Sequence, residues 1–102
     1  MSIRVIDRAA SGLRLAEASL AASAHNSANA LTDGFRRIRV TGAEAASGGV
    51  TAQVSTAPAE ASSPDPVADT VDRTTASLIY RANLAVVKAA DELTGKVVDL
   101  VG

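Results

Sequence analysis

The stretch IRVIDRAASGLRLAEASLAASAHNSANAL, residues 3–31, decides the architecture. Ile3, Ile6, Ala10, Leu13, Glu17, Leu20, Ala24, Ser27 and Leu31 follow alternating steps of three and four, and seven of those nine are apolar. That spacing predicts one long helix over residues 3–31 with a heptad seam. The other side also carries alanine (Ala9, Ala16, Ala18, Ala21, Ala22 and Ala28), so the helix can approach neighbours closely from more than one direction. Thr32-Asp33-Gly34 supplies the stop, with Gly34 suited to a left-handed position beyond the helix end.

Beyond that stop the period changes. Phe35, Ile38 and Val40, then Val50, Ala52 and Val54, alternate with polar residues. The pattern is cleanest over 37–41 and 50–55 and predicts a small β-hairpin across residues 35–56. Residues 57–66, APAEASSPDP, have linker composition. Asp65-Pro66-Val67 then reads as a helix start, with an acceptor for free amides followed by a proline at the first helical position. Val71, Thr75, Leu78, Ala82, Val86, Ala89, Leu93, Val97 and Leu100 resume the three-four spacing through 67–102. The expected organisation is therefore an N-terminal helical segment 1–34, a hairpin insert 35–56, a linker 57–66 and a C-terminal helix 67–102. The fold class is mainly α, with two long terminal helices pairing as an antiparallel coiled coil.

Composition sets the limits on such a molecule. The chain has 102 residues, enough for one domain. It is 47% hydrophobic, but 22 of the 48 hydrophobic residues are alanine, with one Phe, one Tyr and no Trp. Large side chains dominate core energetics, so this chain is marginal alone and a candidate for stabilisation by assembly. A net charge of −1 with interspersed signs argues against a general binder of nucleic acid or anionic membrane. Without cysteine there are no disulfides or thiolate metal sites. Asp7 and Arg8 interrupt the apolar run of the N-terminus, which argues against a Sec signal peptide. No run approaches the roughly 20 apolar residues that span a bilayer.

Catalytic chemistry has little to stand on. No Gly-x-Ser-x-Gly, P-loop, HExxH or EF-hand pattern occurs. His25 is the single histidine and reads as a helix-surface or packed imidazole, since no base, ligand or orienting partner accompanies it in the sequence. Asp91-Glu92 and Asp99 read as a solvated face, because adjacent helical carboxylates point in different directions. Arg36, Arg37 and Arg39 form the densest basic cluster, without interleaved aromatics other than Phe35. A solvated or subunit-contact role fits them better than nucleic-acid binding, which needs a broader basic surface. The expected chain is not an enzyme and takes no cofactor, metal, nucleic acid or small-molecule substrate.

Two segments carry a resemblance. In the first, Ala24, Asn26, Ala28, Asn29, Thr32, Gly34, Phe35 and Arg36 occupy the places of an Ala-Asn-Asn, Ala-Asn, Thr-Pro-Gly-Phe-basic signature, with His25 at the first Asn of the pair and Asp33 at the Pro. In the second, Ala76, Tyr80, Ala82, Asn83, Val86, Val87, Lys88, Ala90, Asp91, Glu92 and Leu93 match an Ala-x-x-x-Tyr-x-Ala-Asn helix followed by an apolar pair, a base and Ala-Asp-Glu. Ser11-Gly12-Leu13 resembles an early Ser-Gly-Leu. Paired in this order, the segments resemble the terminal signatures of the bacterial flagellar rod and hook family, nearest in size to its small proximal-rod members.

The resemblance implies a structural subunit of the basal-body rod. It implies terminal helices forming the inner layer of a hollow tube, export through the flagellar type III apparatus without a cleaved signal, and a periplasm-spanning location. The implied partners are copies of the same chain, other rod and hook subunits, and the export apparatus. The contact residues it marks are Leu13, Leu20, Asn26, Asn29, Thr32, Gly34, Phe35, Tyr80, Asn83, Val86, Lys88, Asp91 and Leu93. The competing readings are a secreted helical hairpin, whose characteristic Trp-x-Gly turn is absent, a coiled-coil adaptor, and a small nucleic-acid-binding or regulatory module using the three arginines.

Overall fold

The computed structural model describes residues 3–58 and 63–101. Its order is α1 (Ile3–Ala28), β1 (Ile38–Glu44), β2 (Val50–Thr56) and α2 (Pro66–Val101). The architecture is mainly helical, with two long helices and a two-stranded antiparallel hairpin between them. At 1.5 Å per residue, the 26 residues of α1 span about 39 Å and the 36 of α2 about 54 Å. The molecule is accordingly long and thin, 62 × 26 × 15 Å along its principal axes.

α1 ends three residues short of the expected Leu31, because polar side chains take over its last carbonyls. The Asn29 backbone and side-chain amides both donate to His25 O, at 3.1 and 3.0 Å. Leu31 is left 97% exposed and plays no part in a seam. Thr32 N donates to Asn29 O and Phe35 N to Thr32 O, while Gly34 adopts the anticipated left-handed conformation at φ 73°. At the other terminus, Ala68 N donates to Asp65 Oδ1 at 3.0 Å, which is the expected N-cap.

β1 and β2 pair from Ile38↔Thr56 to Glu44↔Val50. The strands are longer than the alternation over 37–41 and 50–55 suggested, and the connection between them is a tight turn over Ala45–Gly49. Gly48 N donates to Ala45 O, and the left-handed Gly48 and Gly49 bring the chain back into the ladder. Ala57, assigned above to the linker, is buried and donates its N–H to Arg37 O at 2.7 Å, so it continues the ladder. Of the expected linker 57–66, residues 59–62 lie outside the described residues, as do Met1, Ser2 and Gly102 of the terminal segments.

The largest correction concerns the seam. The helices run antiparallel, placing Gly12 against Asn83 and Ser27 against Arg73. The residues buried on α1 are Ala9, Gly12, Ala16, Ala22, Ser23 and Asn26. Ala9, Gly12, Ala16, Ser23 and Asn26 each lie one position before Ala10, Leu13, Glu17, Ala24 and Ser27 of the expected stripe, a rotation of about 100°. On α2, buried Ala76 and Ala90 and half-buried Asn83 and Val87 each lie one position after an expected seam residue. Small residues form the inner line and let the helices come close. An added Cβ at Gly12 would sit 2.6 Å from Asn83 Nδ2. The antiparallel pairing of the two long helices is as expected, and its seam, with Ala9, Ala16 and Ser23 and then Ala76, Asn83 and Ala90 seven residues apart, is made of smaller residues one position away from the expected stripe.

Candidate functional site

The two motif segments do different work, which their local chemistry explains. Asn26, in the last turns of α1, is buried and points at the outer edge of β1. Its Nδ2 donates to Ile38 O at 2.9 Å and its Oδ1 accepts from Ile38 N at 2.8 Å. One side-chain amide thus occupies the place of a neighbouring strand at that residue. Ser11 does the equivalent at the opposite edge: its Oγ accepts from Val50 N at 3.1 Å and donates to Arg8 O at 2.7 Å. α1 crosses the hairpin diagonally, held at two opposed corners, and Gly42 gives it room, since a Cβ there would lie 2.8 Å from Leu15 Cδ2.

Asn29 and Thr32 lie beyond the helix end and bond each other, Thr32 Oγ1 to Asn29 Oδ1 at 3.3 Å. Phe35 is half-buried with its ring edge-on to His25, centroids 5.2 Å apart at 63°. His25 is thus a packed surface imidazole. Arg37 leaves the group of three arginines to pair with Asp69 at 2.5 Å, tying the start of the hairpin to the first turn of α2. Arg36 and Arg39 remain exposed. The Arg37–Asp69 pair joins residues 32 apart in sequence, and no local pattern announces it. Arg73 NH2 adds a bond to Ser27 Oγ at 2.9 Å.

The second segment divides along its length. Tyr80 and Asn83 are half-buried, and Asn83 Nδ2 donates to Ile79 O at 3.0 Å while its amide group lies against Gly12. Val86, Lys88, Asp91 and Leu93 are exposed. Leu13 and Leu20 of α1 are half-buried. The structure therefore gathers Asn26, Asn29, Thr32, Gly34 and Phe35 around the end of α1 and its turn. It places Asn83, Val87 and Ala90 on the side of α2 that is covered and leaves Val86 and Leu93 on an exposed apolar face.

That face extends far. Val71, Leu78, Val86, Leu93, Val97 and Leu100, the larger apolar members of the expected α2 seam, are all exposed, Leu78 by 67% and Leu100 by 87%. Past Ala90, which is fully buried, every residue from 91 to 100 is exposed. No large side chain among the described residues is fully buried. An apolar stripe of this extent along one helix exceeds the scattered exposure ordinary for a surface and has the character of an interaction face.

Among the described residues no group of three or more His, Cys, Asp or Glu side chains could hold a metal ion, and no helix is long and apolar enough to cross a membrane. A groove of about 400 Å³ opens between β1 and α2, walled by Leu15, Val40, Ala76 and Ile79. No family model matches the chain, and no curated protein matches it.

Proposed function

We propose that this protein is a structural subunit of a bacterial axial assembly of the flagellar rod type, polymerising through its terminal helices. The observation that carries the reading is the inversion along α2: small residues face α1, while Val71, Leu78, Val86, Leu93, Val97 and Leu100 face outward. A monomer that buries alanine and leaves leucine and valine partly exposed forgoes a share, roughly half on average, of the about 1.5–3 kcal/mol that full burial of each such side chain contributes. Contact with neighbouring subunits recovers that energy. Repeated, non-closing contacts between one face and a different face of the next copy build a filament. The two terminal signatures supply the link to the rod and hook family, with type III export and a periplasm-spanning location as its corollaries.

The test is assembly in solution and in the cell. Purified full-length chain sedimented over a wide concentration range forms higher-order species, and Val97→Lys abolishes them. The chain also co-purifies with basal bodies, and its deletion impairs motility. A cooperatively folded monomer at every concentration, with intact basal bodies after deletion, would sink the reading.

A further inference from the structure

Around the first turns of α1 the charge balance departs from that of the chain. A cavity of about 320 Å³ lies between α1 and the hairpin turn, lined by Arg4, Arg8 and Arg14 with one carboxylate, Asp7, and the hydroxyls of Ser47 and Thr51. Three guanidinium groups against one acid make a local charge of about +2 in a chain of net charge −1. Among the described residues none of the three has an ion-pair partner. Arg4 and Arg8 are one turn apart on α1, where like charges repel.

The Arg8 guanidinium lies over the turn. An added Cβ at Gly48 would lie 2.6 Å from Arg8 Nε and 2.9 Å from its NH2, so the glycine leaves space for the guanidinium beside the backbone there. At Gly49 the obstruction would be Ser11 Oγ, at 2.6 Å. Ser11 in turn holds both Arg8 O and Val50 N. Both glycines sit in the left-handed region, at φ 91° and 80°. The turn thus leaves room for one guanidinium against its backbone, at the edge of a polar cavity, without giving it an acid. A planar fork placed in that way suits two-point binding of a carboxylate or phosphate.

We propose that this cavity is an oxyanion-binding site, with Arg8 as the fork beside the turn and Arg4 and Arg14 as the charges around it. The site stands apart from the assembly reading. Its test uses the full chain at a concentration where it is monomeric. Inorganic phosphate is titrated at constant ionic strength maintained with chloride, and the Gly48 and Gly49 amides and the Arg8 Nε–H are followed by NMR. Saturable shifts are expected. Arg8→Gln weakens binding about tenfold, the size of one lost charge-assisted bond. Arg8→Lys recovers part of the loss, and Asp7→Asn strengthens binding. The double change Arg4→Gln with Arg14→Gln weakens it without touching the turn, which covers the case in which Arg8→Gln disturbs folding. Shifts that rise linearly and are matched by chloride, or that ignore the double change, overturn the proposal. A sedimentation arm separates the sources of the anion. If phosphate dissolves assemblies and Arg8→Gln prevents them, the ligand is a carboxylate of a second copy. If assembly is indifferent while saturable binding persists, the ligand is a free anion.

Discussion

The two ends of α2 are opposites. Its first turns are pinned by polar contacts: Asp65 caps it, Asp69 holds Arg37, and Arg73 reaches Ser27 on α1. The ten residues from Asp91 to Leu100, just under three turns, are open to solvent throughout, including Leu93, Val97, Val98 and Leu100. The pinned end defines a fold in one chain, using directional groups placed at single positions. The open end mixes Asp91, Glu92, Lys96 and Asp99 with Leu93, Val97, Val98 and Leu100, and none of the four apolar side chains is covered within the monomer, where non-directional burial would stabilise them. The intramolecular contacts of α2 are thus concentrated in its first part, and on the proposed reading the exposed remainder is what a neighbouring subunit would cover.

Substitutions break the comparison in order of their effect on folding. Asp69→Ala removes the partner of a half-buried guanidinium, and breaking a buried pair this way costs about 3 kcal/mol in denaturant unfolding. Asn26→Ala leaves both main-chain groups of Ile38 without their partner and costs about 2 kcal/mol in the same measurement. Gly34→Ala forces a side chain into the left-handed region in open space, for about 1 kcal/mol. Val97→Lys changes monomer stability by less than about 0.5 kcal/mol, because nothing is packed there. That smallest effect on folding should coincide with the largest loss of association by sedimentation. If Val97→Lys unfolds the monomer as severely as Asp69→Ala does, the division between the two ends is wrong.

Element type and order were legible because local chemistry writes them. The Asp65-Pro66 cap, the Gly34 stop and the alternation around Val40 and Val54 each act within a few residues. The exact face of each helix was not legible. Two adjacent stripes on α1 both satisfy a three-four spacing, and hydrophobicity favours the one with Leu13 and Leu20. Packing chose the line through Gly12 and Ala16, since α1 has to serve the hairpin and α2 at once and only small residues admit both. The Asn26 motif was visible as a string, but its bond to Ile38 depends on how the hairpin folds back over α1. The Arg37–Asp69 pair depends on residues far apart in the chain, with no signal in either neighbourhood. The open end of α2 looked like a coiled-coil seam because its apolar spacing is regular, and it is exposed because, among the described residues, none packs against it.

The line of small residues between the helices has a mechanical consequence. Alanine and glycine present shallow relief, so the two rods meet along a smooth track that resists separation better than it resists sliding. Sliding is opposed at discrete points, where Asn83 sits over Gly12, Arg73 reaches Ser27 and Arg37 grips Asp69. A force directed along α2 therefore passes into α1 at the first two pins and is not shared evenly down the track, while the ionic pin, whose Arg37 precedes β1, carries part of it directly to the sheet.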